Sequence, residues 1–103
     1  MNIQYKKGVL ELCILAALKN RAMYGYELSE YISETIDIAD GTVYPILRKL
    51  KAEGYLTTFL TEESGGPPRK YYCITQYGRE AFEKDAAEWL QFTETVNKII
   101  KGE

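Results

Sequence analysis

The stretch Gly41-Thr42-Val43-Tyr44-Pro45-Ile46-Leu47-Arg48-Lys49-Leu50-Lys51, closed by Gly54, decides how the rest of the chain is read. At helical spacing Val43, Leu47 and Leu50 share one stripe with Ile46 beside it. Tyr44, Arg48 and Lys51 share another, with Lys49 next to it. The segment is therefore a helix from about Thr42 to Glu53 with one apolar face and one face of cations and a phenol. Thr42 is expected to cap it through its hydroxyl, and Pro45 sits in the first turn, where a missing N–H is harmless. Gly54 is expected as a left-handed C-cap. No acid lies between Gly41 and Lys51, so the cations are expected to stand unneutralised within the helix.

Upstream, Met23-Tyr24-Gly25-Tyr26-Glu27-Leu28 leads into a second helix to about Glu34, with Tyr26 or Leu28, Tyr31 and Ile32 as inward candidates. The Asp37–Gly41 turn separates it from the third. Residues Lys6 to Lys19 form a first helix that is apolar nearly all round, which must be covered on more than one side. Downstream, Tyr55–Leu60 and Lys70–Thr75 are aromatic and β-branched. They flank a Gly- and Pro-rich loop, Thr61 to Pro68, and so predict a hairpin. Thr75 caps a last helix running to about Ile100. There are no internal repeats and no low-complexity stretch. Three helices, a hairpin and a further helix predict a mainly α fold with a small β-hairpin wing. Residues 1–74 read as a winged helix-turn-helix and residues 75–103 as a long dimerisation helix.

The chain has 103 residues, is 46% hydrophobic and 27% charged, and carries a formal net charge of −2. That is the balance of one small globular domain, and bulk charge alone predicts no nucleic-acid partner. There is no His, which removes the commonest general base and metal ligand. Neither Cys13 nor Cys73 has a base or ligand cluster nearby in sequence, so neither an enzyme nor a metal or other cofactor is expected. Cys13 reads as a plain buried thiol, and no disulfide framework is expected. Lys6-Lys7 before an apolar run looks like a secretion signal at first glance. Glu11 interrupts it, however, and Leu12–Leu18 is far too short to span a bilayer, so a cytoplasmic protein is expected.

Function must then come from local patterning. Besides the third helix, basic residues recur at Lys6-Lys7 and at Arg69-Lys70 beside the hairpin tip, and in a winged fold these lie near one surface. Arg48 suits a phosphate or a guanine edge; Lys49 and Lys51 suit phosphates as point charges. Tyr44 suits a phosphate, a sugar or a thymine methyl. On the last helix Phe82, Trp89 and Val96 recur at seven-residue steps, with Phe92 and Ile99 between them. Such a seam is expected to pair subunits as a coiled coil, with packing back on its own domain as the alternative, and the first helix, Leu12 and Leu15 included, needs the same extra cover.

The residues Met23-Tyr24-Gly25-Tyr26-Glu27-Leu28, Gly41-Thr42-Val43-Tyr44-Pro45-Ile46-Leu47-Arg48-Lys49-Leu50 and Arg69-Lys70-Tyr71-Tyr72-Cys73-Ile74-Thr75 resemble the PadR family of transcriptional regulators (phenolic acid decarboxylase repressors). The single C-terminal helix resembles its short branch. The resemblance implies a homodimeric winged-helix repressor on a pseudo-palindromic operator of double-stranded DNA. By that resemblance Tyr44 would be the signature tyrosine of the recognition helix, Arg48 and Lys51 would match basic contact positions and Arg69 and Lys70 the wing; Thr42, Lys49, Lys6 and Lys7 join them as expected DNA-facing residues from their own chemistry and placement. The resemblance also implies a cleft between subunits where Trp89 would meet a small planar, lipophilic effector. Glu62, Glu63, Pro67 and Pro68 depart from the pattern at the wing tip. The competing expectation is a winged-helix protein-interaction module without specific DNA binding.

Overall fold

The computed structural model describes residues 3–39, 41–62 and 65–103, with side chains described from residue 8 onward. Four helices, α1 (Ile3–Leu18), α2 (Gly25–Thr35), α3 (Val43–Ala52) and α4 (Gln76–Lys101), surround a sheet of β1 (Met23–Tyr24), β2 (Leu56–Thr61) and β3 (Arg69–Ile74). The sheet is antiparallel in the order β1-β3-β2. The hairpin of β2 and β3 is the wing, and α2 and α3 form the helix-turn-helix.

Leu10, Ile14 and Leu18 of α1, Leu28 and Ile32 of α2, and Val43, Leu47 and Leu50 of α3 are buried together. Leu56, Tyr72 and Ile74 of the sheet close the core beneath them. Burying each such side chain is worth about 1.5–3 kcal/mol before chain entropy is charged against it. Tyr26 and Tyr31 are exposed instead: at 100° per residue Tyr26 falls on the far side of α2 from the Leu28 and Ile32 stripe, and Tyr31 falls on its flank, about 60° from Leu28. Cys13 is half-buried against the core, and its desolvation pushes the thiol above its ordinary pKa. Cys13 and Cys73 are both free.

Two local features differ from expectation. Met23 and Tyr24 do not begin α2; they pair with Tyr72 and Tyr71 as a third strand. Two residues are too few to show an alternating pattern, and only β3 makes them a strand. Thr42 does not cap α3: its backbone is already helical and its hydroxyl makes no capping bond. A capping hydroxyl accepts from the second or third helical N–H, and the third helical residue is Pro45, which has none. At the other end of α3 the expected cap is present. Gly54 has φ +84°, its N–H reaches Lys51 O at 3.0 Å, and Tyr55 N–H reaches Leu50 O at 3.0 Å.

The start of α4 is bolted to that cap. The Thr75 hydroxyl accepts from Gly78 N–H at 3.0 Å and donates to Gly54 O at 2.7 Å, with Tyr55 O at 3.1 Å. Thr75 N–H donates to Tyr55 O at 3.0 Å. A Cβ on Gly78 would lie 2.2 Å from Tyr55 O. The Tyr55 and Tyr77 rings stack over the joint with centroids 5.0 Å apart. Replacing Thr75 with Val is expected to lower stability by about 1–2 kcal/mol, with Ser restoring most of it. Replacing Gly78 with Ala should lower stability by about 3 kcal/mol, since the obstacle is backbone. Urea unfolding of the three variants against the parent checks both expectations.

Candidate nucleic-acid interface

Helix α3 sorts its side chains by angle. Val43, Ile46, Leu47 and Leu50 are buried, while Arg48 and Lys51 are exposed on the outer side with Tyr44 half-buried beside them. Among the described residues no carboxylate lies within ion-pair distance of Arg48 or Lys51. Lys49 is different. Its Nζ is hydrogen-bonded to Glu11 Oε1 of α1 and lies 3.8 Å from Glu53 Oε1. The hydrogen bond to Glu11 leads the causes that raise the pKa of Lys49 above its ordinary value. The expectation that the cations stand unneutralised thus fails for Lys49. The acid comes from another helix, and Lys49 sits about 100° round α3 from Arg48, on the flank turned to α1.

Tyr44 is held by a glycine. Its ring lies over Gly25 at the start of α2, where a Cβ would come within 2.9 Å of Tyr44 Cε1 and 3.8 Å of Tyr72 Cε2. The preceding residue, Tyr24, carries the Arg69 guanidinium on its ring, 4.6 Å from the centroid. Tyr71 meets Tyr24 edge-on at 5.6 Å, and Phe59 stacks on Tyr71 at 5.4 Å. The register explains this row: Tyr24, Tyr71 and Phe59 are neighbours across all three strands on the face away from the core. A chain of contacts thereby runs from Arg69 at the loop end of β3, through Tyr24 and Gly25, to Tyr44 on α3. The contact places the Arg69 guanidinium against the face of the Tyr24 ring. Lys70 is exposed beside it. Sequence reasoning did not pair Gly25 with Tyr44 or Arg69 with Tyr24, because each pair joins residues far apart in the chain. Thr42 is half-buried, the side chains of Lys6 and Lys7 lie outside the described residues, and so does Glu63.

The residues expected at a subunit seam divide. Leu15 is buried in the core of its own chain, and Phe82 packs against that core with Lys19 Nζ 5.6 Å from its ring centre. Both therefore have cover within the chain, because the first turns of α4 lie along α1. Leu12, Trp89 and Phe92 instead line a cleft of about 420 Å³ between α1, the end of α3 and α4, whose rim carries Glu11, Glu53, Asp85 and Glu88. Val96 is half-buried, whereas Leu90, Phe92, Ile99 and Ile100 are 58–74% exposed. Among the described residues, no cluster of His, Cys, Asp and Glu has the makings of a metal site, and no helix is long and apolar enough to cross a membrane.

A model of the family described as "Transcriptional regulator PadR-like family" matches residues 14–84. A PadR-like transcriptional regulator from Bacillus cereus strain ATCC 14579 is similar in structure, with a TM-score of 0.86 and 38% identity over 97% of this chain and 99% of that one. A Streptococcus transcriptional regulator gives a TM-score of 0.84 at 33% identity, covering 93% of this chain and 96% of its own. The negative transcriptional regulator PadR of Bacillus subtilis is 26% identical over 92% of this chain, which spans only 52% of that longer protein.

Replacing Gly25 with Ala is expected to push the Tyr44 ring off its seat while leaving stability within about 1 kcal/mol, since Ala suits a helix start better than Gly. The aromatic side-chain NMR signals of Tyr44 should shift while the unfolding midpoint barely moves. An unmoved Tyr44 would refute the pairing.

Proposed function

The chain belongs to the PadR-like family of transcriptional regulators, and on that premise we propose that it is a homodimeric repressor that binds a pseudo-palindromic operator in the cytoplasm. The family is one of regulators and not of enzymes. The observation that carries the reading is the outer face of α3, where Arg48 and Lys51 are exposed above a fully buried apolar stripe. A helix so anchored offers a rigid cationic edge to the major groove, with Arg48 suited to a guanine edge or a phosphate and Lys51 to a phosphate. Arg69 and Lys70 would then take backbone phosphates from the wing, with Tyr44, Thr42, Lys6 and Lys7 around them.

Residues 1–74 serve in this reading as the DNA-binding domain and residues 75–103 as the dimerisation helix. Support comes from the uncovered apolar residues of α4, from Phe92 to Ile100, and from Val9, Leu12 and Ala16, which lie on the side of α1 turned from the core and are only half-buried. Helix α4 has 26 residues and so runs about 39 Å, comparable with the roughly 34 Å between successive half-sites on one DNA face. The cleft beside Trp89 suits a small planar effector, and its acidic rim favours a cationic one.

The test is fluorescence anisotropy of DNA from upstream of the protein's own gene against a shuffled duplex, at two salt concentrations, together with light scattering for subunit number. A dimer with sequence-dependent, salt-weakened binding is expected. Equal weak binding to both duplexes would overturn the operator reading. Replacing Arg48 with Ala should weaken operator binding by about 1–3 kcal/mol. Trp89 fluorescence should be quenched by planar aromatic cations, and a flat response across a varied panel would remove the effector cleft.

A further inference from the structure

We infer that Glu11 is a positioning residue of the recognition helix, which holds Lys49 away from DNA so that α3 reads with Arg48 and Lys51 alone. The inference rests on the DNA-binding reading above. Three observations carry it. Lys49 Nζ is hydrogen-bonded to Glu11 across the α1–α3 contact and also lies near Glu53, so two carboxylates from two elements converge on one ammonium. Lys49 is displaced by about 100° from Arg48 and about 160° from Lys51 around the helix, which places it on the α1 flank. Glu11 and Glu53 both line the cleft between α1, the end of α3 and α4, so the Lys49 ammonium is held on the side of α3 where that cleft opens.

Each ammonium that neutralises a phosphate steepens the salt dependence of binding by about 0.9 in the slope of log Kobs against log salt. A lysine kept off DNA contributes nothing to that slope. The pair itself is exposed, with 56% and 30% of the two side chains accessible, so Glu11 and a phosphate compete on similar terms. Removing the Glu11 charge should therefore hand Lys49 to the DNA.

The experiment uses the full chain and a fluorescein-labelled mixed-sequence duplex of about 30 base pairs, long enough for two half-sites one helical turn apart. The parent, Glu11→Gln, Lys49→Met and the double variant are titrated by anisotropy across a series of salt concentrations. Glu11→Gln is expected to bind about threefold tighter at low salt and with a slope steeper by about 0.9 per recognition helix. Lys49→Met alone should leave affinity and slope unchanged, and in the Glu11→Gln background it should abolish the gain. Loss of slope in the Lys49→Met single variant would overturn the proposal, because Lys49 would then already touch DNA. So would a Glu11→Gln variant indistinguishable from the parent. If the parent shows no salt-dependent binding, the DNA-binding reading falls as well. Intact binding that ignores Glu11 sinks the positioning role alone.

Discussion

The joint between the end of α3 and the start of α4 is the constraint on which the rest of the molecule depends. Three hydrogen bonds from one threonine, a left-handed glycine and a second glycine pressed on a carbonyl occupy a few residues. They add to the packing of the first turns of α4 along α1, where Phe82 meets the core. With them the direction of α4 is tied to the backbone of the recognition helix. In the proposed dimer, where α4 would pair subunits and α3 would read DNA, the two helices must keep a fixed mutual orientation if two reading helices are to fall one helical turn apart. Arg79 strengthens the arrangement by donating to Lys19 O at 2.8 Å, just past α1, whose last turn has no basic residue of its own.

A net charge of −2 is compatible with a cationic face because the fold sorts charge by side. Glu11, Glu53, Asp85 and Glu88 gather around the cleft between α1 and α4, and Lys49 pairs with the first two. Arg48 and Lys51 stand on the other side of α3, and Arg69 and Lys70 stand at the wing. The partition follows from which flank of α3 is turned to α1, and a count of charges carries no trace of it.

The aromatic residues have separate structural duties. Tyr72 is core; Tyr24, Tyr71 and Phe59 form a row across the outer face of the sheet; Tyr55 and Tyr77 close the joint. The outer row does what cross-strand pairs do in any small sheet, and it lets a two-residue strand hold its place. Its further effect is to set Gly25 under Tyr44, so that the sheet edge, the start of α2 and α3 are in contact.

By itself the sequence determined the order and type of the elements, because periodicity, Gly54, Thr75 and the Gly-Pro loop are local signals acting over one or two turns. The buried stripe of α3 and the outward placement of Arg48 and Lys51 were legible for the same reason: the angle between residues on a helix is set by the backbone. Beyond one element that legibility ended. The strand at Met23–Tyr24 depended on what packed opposite, since only β3 makes those two residues a strand. Phe82 and Leu15, taken from their spacing as seam residues, found cover within their own chain. Lys49 looked like an uncompensated cation until α1 brought Glu11, 38 positions away in sequence, to its ammonium. Only the tertiary structure decided these matters, because the energy of a charge or a ring depends on its nearest neighbours in space, and chain separation says nothing about who they are.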